Sequence, residues 1–280
     1  MSRESGAAGG RAAGAASAAG PQHTFVVPAY GRSPHLEACL QSLAGQTAPG
    51  RVVVATSTPF DGLDATCRAF GARLVVHGPN GGIGRDWNAA LDAAETPLVT
   101  IAHQDDVYDA RFVAALLDAH SRAPGSAMYF CDAGEISESG ERRASGSNAR
   151  VKRLMVALAF LGRRSIAGPL ARRMLFGFGN PVVCPAVSIN RAVAPGFRFR
   201  EDLRTNMDWL AWLDLSAAGR VTRVPGQLMD HRVHTSSETA RCLDDGSRAR
   251  EDLMVFRALW PEPVAVLLGR LYRRSYQGYI

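Results

Sequence analysis

The feature of this sequence that most constrains its fold is a regular alternation of short β-type runs with segments of helical period. The β-type runs are Thr24–Pro28, Arg51–Ala55, Arg73–His77, Leu98–Ala102 and Ala127–Cys131. Helical spacing relates three further sets of apolar residues, namely Leu36, Leu40 and Leu43, then Trp87, Ala90, Leu91 and Ala94, then Phe112, Leu116 and Ala119. This alternation predicts an α/β fold with a mostly parallel central sheet flanked by helices.

Polar residues stand at the ends of the predicted strands. They are Tyr30, Thr56, Ser57, His103, Asp105 and Asp106. Ligands of open α/β sheets bind beyond the carboxyl ends of the strands, where loops and helix N-termini converge. The sequence therefore predicts a binding site at this edge of the sheet.

Size and composition favour a soluble, cytoplasmic protein. A chain of 280 residues is long enough to bury roughly three quarters of its unfolded surface without disulfides or a structural metal. Its five cysteines are widely separated, which argues against a zinc ribbon or a disulfide framework. No apolar run approaches the roughly 18 residues of a membrane span. Residues 1–22 are Ala/Gly-rich, and we predict a disordered tail.

A basic segment accounts for most of the net charge of +6. It runs from Arg142 to Arg173 and contains no acidic residue. Such a field suits phosphates, anionic lipid or nucleic acid, but no nucleic-acid-binding motif accompanies it. Its apolar stretch Leu154–Leu161, flanked by arginines, is the basis of a hypothesis of peripheral contact with a membrane surface. The alternative is a solvated charged face.

Two adjacent carboxylates, Asp105 and Asp106, follow the fourth predicted strand. Their mutual repulsion needs compensation by a cation or by many hydrogen-bond donors. Oxygen ligands favour Mg²⁺ or Mn²⁺, ions that also bridge substrate phosphates. The alternative interpretation is that both aspartates cap the next helix or form a turn.

Six segments resemble the motifs of family 2 inverting glycosyltransferases, which have the GT-A fold. In chain order they read FVVPAYGR, SLAGQT, NGGIGRDWNAAL, HQDD, NMDWLAWLDLSAAG and HRVH. The resemblance extends from about Thr24 to His234. It implies a nucleotide-sugar-binding half at residues 23–135 and an acceptor-side half with C-terminal helices at residues 136–280.

The resemblance also implies roles for residues on the donor side. Pro28, Ala29 and Tyr30 are expected at the nucleotide. Thr56 ends the second strand, where the family usually carries a base-reading aspartate. The remaining expected substrate contacts are Asp86, Asn88, Asp106, Arg232 and His234. Asp105 and His234 are expected to hold the metal, although His103 replaces the first aspartate of the family's Asp-x-Asp motif.

The resemblance nominates Asp208 as the catalytic base, with Met207 in place of the glutamate of the family's Glu-Asp pair. Inverting transfer needs one carboxylate to take the proton of the attacking hydroxyl. A structural alternative exists, because Thr205-x-x-Asp208 before an apolar run is also a capping-box pattern. A helix dipole would then lower the pKa of Asp208.

The function expected from the sequence is transfer of a sugar from a UDP- or dTDP-linked donor to a saccharide or lipid-linked acceptor in cell-envelope polysaccharide synthesis. Two alternatives stay open. AHQDD with later histidines also resembles metal-dependent deacetylases, whose zinc activates water. A non-catalytic sugar-nucleotide-binding protein is the other, since a fold does not guarantee chemistry. No nucleic-acid partner is expected, and the sequence does not indicate the oligomeric state.

Overall fold

The computed structural model describes residues 20–144, 146–233 and 246–274. In this part of the chain, nine strands form one sheet in the order β3-β2-β1-β4-β8-β6-β9-β5, and β7 pairs with β9. The strands are β1 His23–Pro28, β2 Arg51–Thr56, β3 Arg73–Val76, β4 Leu98–Ile101, β5 Val107–Tyr108, β6 Ser126–Ile136, β7 Ser165–Ile166, β8 Val187–Asn190 and β9 Arg220–Arg232.

The helices connect the strands and extend the second half of the chain. They are α1 Leu36–Ala44, α2 Leu63–Ala69, α3 Ile83–Asp92, α4 Phe112–Arg122, α5 Ser147–Phe160, α6 Pro169–Phe176, α7 Met207–Ala218, α8 Ser247–Leu259 and α9 Glu262–Tyr272. A short 3₁₀ helix at Cys184–Ala186 leads into β8.

The predicted α/β architecture is confirmed, but the sheet is mixed. Strands β1 to β4 pair in parallel, as the alternation of strands and helices predicts. Strand β8 then lies antiparallel between β4 and β6. Strand β9 runs parallel to β6 but antiparallel to β5 and β7. The strands of the second half thus complete the sheet begun by the first, and their antiparallel pairs make it a mixed sheet.

Each face of the sheet carries its own apolar core. One core contains residues of α1, α2 and α4, such as Leu40 and Leu116. The other contains residues of α3 and α5 to α9, including Trp87, Phe160 and Trp209. Helices α5, α6 and α9 thus lie on the same side of the sheet as α7.

Most predicted elements of the first half are confirmed within a few residues, and β6 is longer than the run that predicted it. Helix α2 has only two buried residues, Leu63 and Cys67, too few for an apolar period to be recognised. No helix of the described ranges is long and apolar enough to cross a membrane. Residues 1–19 of the predicted tail lie outside the described residues.

Candidate active site

The loop after β4 forms a tight turn at the carboxyl edge of the sheet. The N–H of Asp106 donates to the carbonyl of His103 over 3.3 Å, so the side chains of these two residues become neighbours. The amide of Gln104 pairs with the backbone of Tyr30, through bonds of 3.1 and 3.2 Å. This pair fixes the loop to the residues that follow β1.

Asp106 is the carboxylate around which this loop is organised. It is fully buried, and its Oδ1 accepts hydrogen bonds from the backbone N–H of Arg232 and from Nδ1 of His231, each 2.9 Å long. Nδ1 of His103 lies 3.8 Å from Oδ2 of the same carboxylate. Strand β9 thereby brings His231 to the loop after β4, across 125 residues of sequence.

His103, Asp106 and His231 form a set that fits a metal ion. Each offers one ligand atom, and these atoms lie within 4.8 Å of one another. Oδ2 of Asp106 and Nε2 of His103 are buried and have no hydrogen-bond partner in the described ranges. Two imidazoles and one carboxylate suit Mn²⁺ or Zn²⁺ better than Mg²⁺, which prefers oxygen ligands. Mn²⁺ or Zn²⁺ therefore fits the residues that are present.

The structure changes the predicted set of metal-binding residues. Asp106, which was expected at the substrate, gathers with the two histidines, whereas Asp105 is not a member of the group. The reason is the turn, since residues at its first and last positions meet while Asp105 lies between them. His234, the other predicted ligand, lies outside the described residues.

The surroundings shift the pKa values of the two histidines in opposite directions. Burial lowers the pKa of His103, so this imidazole is neutral and able to donate a lone pair to a metal. Burial also lowers the pKa of His231, but the charge and hydrogen bond of Asp106 outweigh it and raise the pKa above its usual value.

The guanidinium of Arg232 binds backbone carbonyls. Nε donates to the carbonyl of Asp105 over 2.8 Å, and Nη1 donates to the carbonyls of Ser137 and Glu138 over 2.9 Å each. The side chain is buried. Arg232 therefore fixes the loop after β4 to the turn after β6, in place of the direct contact with the diphosphate that was expected.

Asp208 lies in the first turn of α7. Its Oδ2 accepts a hydrogen bond of 2.9 Å from the amide of Asn180, and Oδ1 accepts one of 2.7 Å from the N–H of Trp209. Burial raises the pKa of Asp208 to about 6, although both hydrogen bonds and the charges of Arg248 and Lys152 oppose the shift. The lowered pKa that accompanied the structural alternative is therefore not found. The capping box is also absent, since α7 begins after Asn206, whose side chain makes no capping hydrogen bond.

The start of α7 is instead held by a carboxylate from α8. Glu251 accepts hydrogen bonds from the backbone N–H groups of Arg204, Thr205 and Asn206 and from the Thr205 hydroxyl, all of 2.8 to 2.9 Å. Burial raises the pKa of Glu251, but these bonds outweigh it and lower the pKa below its usual value. The next residue, Asp252, accepts a bond of 2.6 Å from the amide of Asn206.

Sequence reasoning missed both Asn180 and Glu251. Asn180 lies in the segment FGFGNPVVCPAVSIN, between α6 and the 3₁₀ helix, and the local sequence around it indicates only an Asn-Pro turn. The spacing of α8 does not reveal that Glu251 meets another helix 45 residues away.

Asp208 and the loop after β4 belong to one electrostatic neighbourhood. The charge of Lys152, on α5, acts on both Asp208 and His231. The carboxylates of Asp208 and Asp106 both raise the pKa of the buried thiol of Cys184, for which burial is the largest cause. Both carboxylates therefore lie within electrostatic range of Cys184.

Asp86 and Asn88 lie on α3 and are both buried. Asp86 accepts a bond of 3.0 Å from the hydroxyl of Ser57, at the end of β2, and its Oδ1 has no hydrogen-bond partner within the described ranges. The Asn88 amide pairs with the backbone of Phe199 through bonds of 2.9 and 2.8 Å. The amide of Asn88 is therefore engaged with the backbone, whereas Oδ1 of Asp86 accepts no hydrogen bond from the described residues and lies 4.0 Å from Nδ1 of His77.

The predicted nucleotide contacts are divided between the interior and the surface. Thr56 is buried, and its hydroxyl accepts a bond of 3.0 Å from the N–H of Thr58. Pro28 and Ala29 end β1 and its turn, with Ala29 buried. Tyr30, by contrast, is 60% exposed. Tyr30 is thus the side chain of this group that is free to contact a base.

A hollow of about 490 Å³ opens at the opposite edge of the sheet, near Thr24, Arg51 and Glu95. None of the candidate site residues lines it. Its walls carry the amino ends of β1 and β2 and an ion pair between Arg51 and Glu95. The candidate site is therefore at the carboxyl edge, where Nε2 of His103 and Oδ2 of Asp106 are buried without a hydrogen-bond partner in the described ranges.

Comparison of the sequence with known protein families shows to which family the chain belongs. The family described as "Glycosyl transferase family 2" matches residues 24–189, which include β1, the loop after β4 and Asn180. The chain belongs to this family. It is a glycosyltransferase, and its α/β fold is of the GT-A type. Among curated proteins, none matches the chain by sequence.

Two solved structures illustrate the fold of this family 2 glycosyltransferase. TarS 1–349 of S. aureus, in complex with UDP-GlcNAc, is 16% identical over 91% of this chain and 73% of its own, with a TM-score of 0.62. The mannosyltransferase PcManGT of Pyrobaculum calidifontis, in complex with GDP-Man and Mn²⁺, is 18% identical over 92% of this chain and 70% of its own, also with a TM-score of 0.62. At these identities the similarity concerns the fold.

Proposed function

We propose that this glycosyltransferase moves a sugar, with inversion, from a nucleoside-diphosphate donor to a hydroxyl of a saccharide or lipid-linked acceptor. The observation that carries the proposal is Asp208, a buried carboxylate at the start of α7 that accepts a hydrogen bond from Asn180 and has a pKa of about 6. A base of this pKa is ionised at neutral pH and still accepts a proton readily.

In the proposed reaction the acceptor hydroxyl attacks the anomeric carbon as the bond to the diphosphate breaks. Asp208 takes the hydroxyl proton, and the electron pair of the broken bond stays on the diphosphate. Asn180 holds Oδ2 of Asp208, so the carboxylate is oriented before the acceptor binds. Such preorganisation lowers the barrier because no reorientation is needed during the reaction.

We propose that His103, Asp106 and His231 hold a divalent ion, with Mn²⁺ favoured over Mg²⁺ by the two imidazoles. When bound, the ion supplies charge neutralisation for the departing diphosphate. PcManGT was solved with Mn²⁺, which supports the choice of Mn²⁺ as the first ion to test.

The donor is proposed to be a UDP- or dTDP-linked sugar, with GDP-linked sugars as the alternative to test. The complex of TarS with UDP-GlcNAc supports a UDP-linked donor, and the complex of PcManGT with GDP-Man supports a GDP-linked one. We further propose a cytoplasmic role in cell-envelope polysaccharide synthesis, at the inner face of the membrane.

A thermal-shift titration tests the donor and the ion together. UDP-GlcNAc, dTDP-glucose and GDP-Man are added separately, with and without Mn²⁺, to the wild type and to the variant His103→Ala. We expect one donor to raise the melting temperature only when Mn²⁺ is present, and the variant to lose that dependence. If dTDP-glucose, UDP-GlcNAc and GDP-Man all leave the melting temperature unchanged with Mn²⁺ present, the proposed donor class is wrong.

The grouping of His103, Asp106 and His231 also favours a second candidate, a metal-dependent hydrolase in which Zn²⁺ activates water. Two observations weigh against it. The AHQDD segment follows the fourth strand, whereas the deacetylase motif is expected after the first, and Val107 stands where that motif has glutamate. Zinc-dependent release of acetate from N-acetylglucosamine, unaffected by Asp208→Asn, would favour the hydrolase.

A further inference from the structure

Exposed apolar side chains are concentrated on one part of the surface. Of the thirteen large exposed apolar residues in the described ranges, ten lie on or directly after three helices. They are Val151, Leu154, Leu158 and Leu161 of α5, Leu170, Met174 and Phe178 of α6, and Val264, Leu267 and Leu271 of α9. We call this set the apolar face. Helices α1, α2 and α4, on the other side of the sheet, contribute none of the thirteen.

The apolar face follows from the pattern of α5. Val151, Leu154, Leu158 and Leu161 are spaced three and four apart and therefore share one side of the helix. The opposite side of α5 buries Val156, Ala159 and Phe160 in the core. A helix that is apolar on both sides is expected inside a large protein or at a lipid surface. In this structure more than half of the Leu154 and Leu158 surface is exposed.

The three helices meet beside the proposed base. A methyl group placed on Gly179 would lie 2.9 Å from Tyr272, at the end of α9, and 3.7 Å from Met155 of α5. The aromatic ring of Phe178 lies 5.5 Å from that of Trp260, which precedes α9. Asn180, the next residue but one after Phe178, binds Asp208. The apolar face therefore borders the site.

The charges around the apolar face are almost all positive. They are Arg150, Lys152, Arg153, Arg163, Arg164, Arg172 and Arg173 of α5, α6 and their connection, and Arg270, Arg273 and Arg274 of α9 and its end. The acidic residue among these helices is Glu262, which pairs with Arg257. A second copy of the chain would bring this positive field against itself, so self-association through the face is disfavoured.

We infer that the apolar face binds an anionic phospholipid bilayer, with its leucines inserted between headgroups and its arginines against lipid phosphates. Charge complementarity selects this occupant, because apolar side chains ringed by Lys and Arg match the boundary of an anionic membrane. Docking would place the site at the bilayer surface. The consequence that the acceptor is a lipid-linked saccharide rests on the proposed function, whereas membrane binding does not.

Flotation with vesicles tests the inference without any assay of transfer. The full chain is mixed with vesicles of phosphatidylcholine alone or with 30% phosphatidylglycerol, roughly the anionic content that attracts basic segments. The variants are Leu154→Glu/Leu158→Glu on the face and the control Val76→Glu, an equally exposed residue on β3. Thermal unfolding of each variant checks that the fold is retained.

We expect the wild type and Val76→Glu to float with the anionic vesicles at 0.1 M salt, and the face variant to bind at least about tenfold more weakly. Binding to phosphatidylcholine alone should be weak. Absence of flotation in the wild type, or equal flotation of the face variant, overturns the inference. So does a dimer in light scattering that Leu154→Glu/Leu158→Glu dissociates, because the occupant would then be a second copy.

Discussion

The site has two buried carboxylates, Asp106 in the loop after β4 and Asp208 at the start of α7, and their surroundings differ. Asp106 is fully buried, accepts hydrogen bonds from His231 and from the backbone N–H of Arg232, and has Nδ1 of His103 3.8 Å from its other oxygen. Asp208 has an amide and one backbone N–H as donors, and burial raises its pKa to about 6. The difference teaches that surroundings give two identical side chains different tasks: hydrogen bonds make Asp106 the anchor between the loop after β4 and β9, whereas burial makes Asp208 a better proton acceptor.

The largest expected effect comes from removing the proton acceptor. Asp208→Asn keeps an oxygen for the N–H of Trp209 but cannot take a proton, so kcat should fall by about 10³-fold. Donor affinity, measured by calorimetry with the nucleotide sugar found in the thermal-shift titration, should change little. Retained kcat would show that the start of α7 is only structural.

The matching change in the loop after β4 should act on stability and on metal binding. Asp106→Asn removes a buried charge that His231 faces, so the free energy of unfolding should fall by about 3 kcal/mol at pH 7. Denaturant unfolding measures this loss, and titration with Mn²⁺ should show weaker binding.

The control for this loss is Asp109→Asn, which breaks the more exposed pair with Arg111 and should lower the unfolding free energy by less than about 1 kcal/mol. Equal losses for the two variants would contradict the special position of Asp106.

The carboxylate that holds α7 gives an intermediate effect. Glu251→Gln weakens bonds to three backbone N–H groups and should lower the free energy of unfolding by about 2 kcal/mol near pH 7. The pKa of Glu251 is lowered in the folded state, so its contribution is complete above the usual pKa of 4.5, shrinks below it and is lost as the pH falls through the lowered pKa. Unfolding at pH 7 and pH 4 should therefore show a difference that shrinks at the lower pH, whereas Glu262→Gln on α9 should have little effect at either.

The smallest effect concerns the orientation of the base. The hydrogen bond of Asn180 lowers the pKa of Asp208, so Asn180→Ala should move the acidic limb of the kcat profile to higher pH. Activity should then fall more at pH 6 than at pH 8. The control is Asp214→Asn, on α7 but further along it, which should leave the limb in place. A limb that Asn180→Ala does not move would mean that this amide does not act on the base.

The two regions also differ in how far the sequence predicted them. Strands β1 to β4 followed from the alternation of short runs, and Asp208 followed from the resemblance of its segment to a motif of family 2 glycosyltransferases. The partners of Asp106 did not, because His231 and Arg232 reach the loop through a strand pairing that no local pattern encodes. Glu251 escaped prediction for the same reason, since a contact between two helices depends on packing.

The anomeric configuration of the sugar released from the donor tests the central claim most directly. The wild type and Asp208→Asn are incubated with the α-linked donor identified by thermal shift, with water as the acceptor, and the first product is observed by proton NMR. We predict the β anomer from the wild type and about 10³-fold slower release from Asp208→Asn. Initial formation of the α anomer, or equal rates for the two proteins, would contradict a single inverting displacement assisted by Asp208.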